Sequence, residues 1–443
     1  MPQTPLVVIG GGLAGTEAAY QIARHGLPVR LYEMRPQCAT PAHHTALLGE
    51  LVCSNSLKAD TLPSAHALLK AEMRRLDSLV LRAADATRVP AGAALAVDRG
   101  QFAAYLTQAA TTHPNITVVR QEMTELPFDR ITIVATGPLT SPTLTAQLQR
   151  FLGQEHLYFY DALSPIVAAE SIDYSKTFFA SRHDVGDGND YLNCPLDRPG
   201  YEQLCSALAT AECVTPHAFE QEIFFEGCLP IEEMARRGVQ TLAFGPLRPV
   251  GLHRADTPPP YAVVQLRLED RLRSAYNMVG FQTRLTYPEQ RRIFRMIPGL
   301  EHAEFLRLGA VHRNTFLNAP RLLQATLQTK QHAQMFFAGQ ITGVEGYVEA
   351  AATGLLAGLN AVALAQGLPL HIPPATSAHG ALVRYISGAN PETFQPMNIN
   401  FGLLPPLAHA RGPKKVRRAA MVDRALADLE QWQQRMVPLC THT

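Results

Sequence analysis

The sequence predicts an α/β chain in which a Rossmann-type parallel sheet, with helices on both faces, is interrupted by an inserted mixed α/β domain. Three observations carry that prediction. The chain opens on a strand, a glycine turn and a helix; an acid ends the strand that follows; and a second strand–glycine–helix unit returns near residue 335, after a long stretch of different character.

The opening unit is Leu6-Val7-Val8-Ile9-Gly10-Gly11-Gly12-Leu13-Ala14-Gly15. Four apolar, mostly β-branched residues suit a buried parallel strand. Gly10, Gly12 and Gly15 give the G-x-G-x-x-G spacing. The first glycine makes a tight turn, the second admits a pyrophosphate to the backbone, and the third lets helix pack close on strand. Gly10, Gly11, Gly12, Leu13, Ala14 and Gly15 are therefore the expected cradle, with the N–H groups and positive dipole end of the helix facing the phosphates. Gly26 ends the helix, Val29-Arg30-Leu31-Tyr32 reads as the next strand, and Glu33 falls where an acid holds a ribose 2′-OH. An acid there favours FAD or NAD over NADP.

Residues 36–49 read as a loop near the nucleotide, and Leu51-Val52-Cys53-Ser54-Asn55-Ser56-Leu57-Lys58 as a turn or helix cap. Residues 65–81 and 101–110 have helical spacing, and 116–119 reads as a strand. Residues 128–138 read as a strand running into the small-residue turn at Gly137, which lets the chain pass beneath a dinucleotide and suits the last parallel strand. Across 141–330 proline and aromatic residues rise and helices shorten. Strands are expected at 176–180 and 261–268, and a turn at 188–193. This is the inserted, substrate-facing domain; 1–140 and 331–443 form the discontinuous dinucleotide domain. The second device is Met335-Phe336-Phe337-Ala338-Gly339, with Gly343 and Gly346 before a small-residue helix over 348–365. One nucleotide can use both devices, the first for its pyrophosphate and the second for its flavin end. There is no second G-x-G-x-x-G, so NAD(P)H is expected to visit transiently.

With 443 residues the chain is long enough for two or three domains. Its 47% hydrophobic and 17% charged residues are those of a globular enzyme and exclude global disorder. A net charge of +1 means that any nucleic-acid affinity comes from local patches. No run approaches a membrane-spanning length, and the first strand begins almost at once, so a signal peptide is not expected and the location expected is cytoplasmic.

Seven cysteines (38, 53, 194, 205, 213, 228 and 440) show no C-x-x-C or zinc spacing. Reduced thiols are expected rather than disulfides, and no metal site. Cys53, in Val-Cys-Ser-Asn-Ser, has polar neighbours and turn N–H groups that stabilise a thiolate. Cys228 lies between Gly227 and Leu229-Pro230, and Cys194 precedes Pro195; each also suits a small buried hydrophobe. His312, Arg313 and Asn314 gather a stacking group, a cation and an amide, as a planar heterocycle with an acid tail would need. A structural loop would use the same letters. The basic run 411–418 before a C-terminal amphipathic helix suits RNA phosphates or a solvated face alike.

The stretch Gly10-Gly11-Gly12-Leu13-Ala14-Gly15-Thr16-Glu17 resembles the FAD fingerprint of the GidA-type tRNA-modifying flavoproteins. Residues 51–58, Tyr191-Leu192-Asn193-Cys194-Pro195, Glu226-Gly227-Cys228-Leu229-Pro230-Ile231-Glu232, Thr241-Leu242-Ala243-Phe244-Gly245-Pro246, 312–318 and 337–349 narrow the resemblance to the TrmFO family, the folate- and FAD-dependent tRNA (uracil-5-)-methyltransferases. The resemblance implies methylation of the T-loop uridine, position 54, of tRNA. Carbon would come from 5,10-methylenetetrahydrofolate and reduction from NAD(P)H through FAD. Its cysteine positions match Cys53 and Cys228. Cys228 is expected to add to uracil C6, with Cys53 acting beside the flavin as base or as keeper of the methylene; the roles are exchangeable. His312, Arg313 and Asn314 would hold the folate and Tyr347 would line the flavin face. tRNA and tetrahydrofolate are the implied partners, with no stable protein partner and no membrane. Alternatives are a GidA-like role in wobble-uridine modification, a non-methylating FAD and RNA-binding redox protein, and a small-substrate oxidoreductase.

Overall fold

A computed structural model describes residues 4–40, 42–153, 157–182, 189–214, 229–252, 258–408 and 412–435, with 157–162 and 311–313 described by backbone alone. Its centre is a five-stranded parallel sheet in the order Met335–Phe337, Thr132–Val134, Leu6–Ile9, Val29–Glu33, Ile116–Arg120. The opening strand is central because all four of its residues are buried, as a strand covered by helices on both faces requires. Its neighbours run off to either side, which makes its C-terminal end the switch point where such sheets take ligands. The strand read at 128–138 is confined to Thr132–Val134, and it is not the last: Met335–Phe337 lies outside it.

Helix Leu13–Arg24 follows the glycine turn, and helix Tyr347–Ala365 crosses it at very close range. A Cβ on Gly354 would lie 2.2 Å from the Ala14 carbonyl oxygen, and one on Gly358 would lie 2.8 Å from that of Ala18. Helix Tyr347–Ala365 is long and apolar enough to cross a membrane by length and composition, but 83% of its most apolar window is buried inside the protein.

The helix expected over 65–81 is two helices, Ala65–Arg75 and Leu79–Ala86. Asp77 turns left-handed between them (φ 60°), and Ser78 caps the second. Glu17, from the opening helix, accepts from Ser78 Oγ and from the N–H groups of Leu79 and Val80. Apolar spacing continues across the break, so periodicity alone does not reveal it. Burial raises the Glu17 pKa in spite of those bonds. Residues 51–58 are not wholly turn: Ser56–Ala59 is an edge strand of a three-stranded antiparallel sheet with Ala94–Val97 and Arg88–Val89.

A six-stranded antiparallel sheet takes the order Phe178–Ala180, Tyr191–Leu196, Ala262–Leu268, Ala275–Met278, Ile166–Ala168, Phe305–Arg307. Tyr191–Leu196 corrects the turn expected at 188–193, whose first residue lies outside the described residues. Phe178–Ala180 starts two residues later than read because Tyr174–Lys176 forms a 3-10 turn. Val264, Leu266 and Leu268 enter this sheet's own core, so the period of two turns Gln265 and Arg267 to the opposite face. Cys194 is fully buried in that core, and burial pushes its thiol up. It is a small core hydrophobe rather than a reactive group. An antiparallel ribbon, Leu157–Ala162 with Val311–Phe316, links the two sheets. Helix Lys414–Arg435 packs by Val422, Ala425 and Leu429.

Candidate active site

A cleft of about 160 Å³ opens at the switch point. Gly10, Gly11, Gly12, Leu13 and Ala14 form one wall, with Glu33, Gly137, Gly339 and Tyr347 around them. The glycines fit the roles their spacing requires. A Cβ on Gly10, at φ 104°, would meet the Ala135 carbonyl oxygen at 2.5 Å, whereas one on Gly12 would meet nothing within 4 Å and would project into the cleft. Gly15 lies behind that wall, and its Cβ would fall 1.8 Å from the Gly10 carbonyl oxygen. Among the described residues no side chain caps the start of helix Leu13–Arg24, and its first turn carries no acid, so its first N–H groups suit an anion. These residues fit a bound pyrophosphate.

Glu33 is more engaged than an acid waiting only for a ribose. One oxygen accepts the Gly11 N–H at 2.9 Å, and the other accepts both the backbone N–H and Nε of Arg35. Burial opposes its charge, but the Arg35 guanidinium overcomes that and holds the carboxyl below its usual range. Gly346 borders a second cleft rather than the first, and Gly343 borders neither; its turn packs under the Phe394 ring.

The second cleft, about 220 Å³, shares Val52, Pro138, Leu139, Gln340 and Tyr347 with the first. Cys53, Lys58, Asn314 and Glu349 are among its other walls. His312 and Arg313 pair through their backbones with Asp161 and Tyr160, but their side chains lie outside the described residues, as does Cys228.

The loop carrying Cys53 is held from three directions. Tyr347 Oη accepts the N–H groups of Cys53 (2.8 Å) and Ser54 (3.3 Å). Burial raises the Tyr347 phenol, keeping it protonated. Arg307, from the antiparallel sheet, donates to the carbonyls of Val52 (3.0 Å) and Cys53 (2.8 Å). Arg99 donates to the Leu51 and Cys53 carbonyls, and Arg267 donates to Ser54 Oγ and Asn55 Oδ1. Glu269 pairs with Arg99 at 2.9 Å. Burial lowers the pKa of Arg267 and of Arg307; for Arg99 burial also opposes the charge, but Glu269 leaves its pKa raised. Three guanidiniums thus fix one loop, bonding to its carbonyls and to the Ser54 and Asn55 side chains. The sequence reading missed all three arginines. The one available signal was Arg267 inside the apolar run Val263-Val264-Gln265-Leu266-Arg267-Leu268.

Two histidines contribute to the loss of stability in acid. His43 lines the first cleft, and His66 Nε2 lies 3.7 Å from Glu349. Burial first, with Arg35 at His43 and with Lys58 and Lys70 at His66, pushes each from 6.5 to about 4. The unfolded chain therefore binds more protons than the folded one between pH 4 and 6.5, and stability falls as pH drops through that window. Thermal melts should show a lower midpoint at pH 5 than at pH 7, and His66→Gln should narrow the gap. An unchanged gap would remove His66 from this account.

The glucose-inhibited division protein A family model matches residues 5–369. A protein of Citrifermentans bemidjiense named methylenetetrahydrofolate–tRNA-(uracil-5-)-methyltransferase TrmFO is 56% identical over 429 residues, 96% of this chain and 98% of its own. Proteins of the same name from Geotalea uraniireducens (98% of this chain, 99% of its own) and Heliobacterium modesticaldum (96% and 97%) are each 57% identical. The solved structure of Aquifex aeolicus GidA is similar in fold, with a TM-score of 0.70 over 97% of this chain and 74% of that one, at 17% identity.

Proposed function

The chain belongs to the TrmFO family of methylenetetrahydrofolate–tRNA-(uracil-5-)-methyltransferases, and from that premise we propose that it methylates C5 of the T-loop uridine, position 54, of cytoplasmic tRNA. 5,10-Methylenetetrahydrofolate donates the carbon, FAD is the resident cofactor and NAD(P)H is the reductant. One observation carries the placement: the glycine-walled cleft and the cleft beside Cys53 share a wall at Val52, Gln340 and Tyr347. A dinucleotide held by its pyrophosphate at Gly10–Gly12 would extend toward the wall that the two clefts share. Residues 1–140 and 331–443 hold the cofactor; 141–330 present the tRNA.

Bound FAD supplies the hydride that completes the methyl group. The chain's residues do the rest. The Cys228 thiolate adds to uracil C6, which makes C5 nucleophilic. C5 bonds to the methylene carbon as one of that carbon's two bonds to folate nitrogen opens. The C5 proton then leaves to the Cys53 sulfur while the second carbon–nitrogen bond breaks and releases tetrahydrofolate, and the C6–S bond breaks as the carbon becomes a methyl group. The described residues that follow Cys228 support this: the Ile231 N–H donates to the carbonyl of Gln282, a wall of the Cys53 cleft. Glu232, buried, secures the segment by accepting from Thr283 Oγ1 and the Arg284 N–H. Asn314, 3% exposed in the same cleft, is placed to hold the folate, with His312 and Arg313 beside it in sequence. The wobble-uridine reading is not favoured, since the relatives above half identity are uracil-5 methyltransferases and the GidA structure shares fold alone.

The test incubates flavin-loaded protein with unmodified tRNA, methylenetetrahydrofolate and NAD(P)H, then digests the RNA for nucleoside analysis. 5-Methyluridine is expected. Its absence with folded, yellow enzyme would overturn the reading.

A further inference from the structure

The segment Thr241-Leu242-Ala243-Phe244-Gly245-Pro246-Leu247-Arg248 is as specific to the family resemblance as the cysteine motifs, yet nothing in the chemistry above uses it. Its structure is anchored inward and presented outward. Leu242 and Leu247 are fully buried, and the Leu247 carbonyl accepts the Val263 N–H of the antiparallel sheet. Phe244, by contrast, is 76% exposed, and Arg248 is exposed beside it. A single exposed ring is ordinary on a protein surface; what distinguishes Phe244 is the pair of cations that shares its groove.

Phe244, Arg248, Arg182 and Gln265 line one surface groove. Arg182 is fixed there: its Nε donates to Gln265 Oε1 at 3.0 Å and its Nη1 to the Val250 carbonyl at 3.1 Å. Among the described residues neither arginine has a carboxylate within ion-pair distance. Burial, followed by repulsion from Arg248, lowers the Arg182 pKa, so the pair gains from an anion between them. Gln265 places the groove relative to the chemistry. It shares a face of strand Ala262–Leu268 with Arg267, two residues and about 7 Å along, and Arg267 reaches Ser54 beside Cys53 at 2.7 Å.

We propose that this groove binds one nucleotide of the tRNA next to the target uridine, its base stacked on Phe244 and its backbone phosphate between Arg182 and Arg248. The ring offers a face to any base, and the two guanidiniums complement a phosphate and not a cationic or neutral partner. This rests on the tRNA reading above, and the test separates the two. Unmodified tRNA is titrated onto flavin-loaded wild type, Phe244→Ala and Arg248→Gln across a range of salt, with the flavin spectrum reporting the fold of each. Phe244→Ala should bind at least about fivefold more weakly, and Arg248→Gln should show a log–log salt slope shallower by about one. Variants that bind like wild type, at the same slope, would overturn the groove. Wild type that fails to bind tRNA would instead overturn the tRNA reading.

Discussion

Cys53→Ala should abolish 5-methyluridine formation while leaving flavin content and melting temperature within error of wild type. The side chain borders the second cleft and is half-buried, and its removal leaves the loop's anchors untouched. Tyr347, Arg99 and Arg307 all bind the backbone of residues 51–54. The loop should therefore stay in place without its thiol. A loss of about a thousandfold in turnover, roughly 4 kcal/mol in transition-state free energy, is expected for removing a group that acts on the reacting atoms. Retained methylation would remove Cys53 from the mechanism. Lost flavin would instead make it structural.

Gly15→Ala should produce the opposite separation: a colourless, destabilised protein. The new methyl group would sit 1.8 Å from the Gly10 carbonyl oxygen, a backbone atom that no rotamer change can move aside. Helix Leu13–Arg24 would have to lift from the strand, and its other face is already closed by Gly354 of helix Tyr347–Ala365. The cost should reach about 3 kcal/mol or more, the range of severe overpacking. It should be read as a lowered denaturant midpoint together with loss of the flavin absorbance. Gly12→Ala makes the contrast, since its Cβ meets no protein atom and intrudes only on a ligand. It should fold normally yet bind flavin poorly. A stable, yellow Gly15→Ala protein would refute the packing argument.

The second of these sites was open to reading and the first less so, for a physical reason. A glycine fingerprint is local: turn, helix start and strand all lie within ten residues, so their letters state the geometry. The break at Asp77 is different, because it is imposed by Glu17, sixty residues earlier, drawing the start of helix Leu79–Ala86 onto its carboxylate. The strand Tyr191–Leu196 hid behind a glycine and asparagine that signal turns, because its partners lie near residues 178 and 265. The arginines around Cys53 were invisible for the same cause. Each is far away in sequence, and only folding brings residues 99, 267 and 307 to one loop. The two cysteines and the folate trio stood out by their local setting and took their roles from a resemblance; of them the described residues bring together Cys53 and Asn314, at one cleft.

The grip of Arg267 and Arg307 on residues 52–55 has a consequence for how such a protein can change over time. The thiol belongs by sequence to the nucleotide-binding half, but its position is underwritten by the other sheet. The two halves therefore cannot be shuffled as independent modules. A transplanted flavin-binding half would lose the aim of its cysteine. New substrates have to be acquired by changing the antiparallel sheet's outer surface while the face that holds the loop stays as it is.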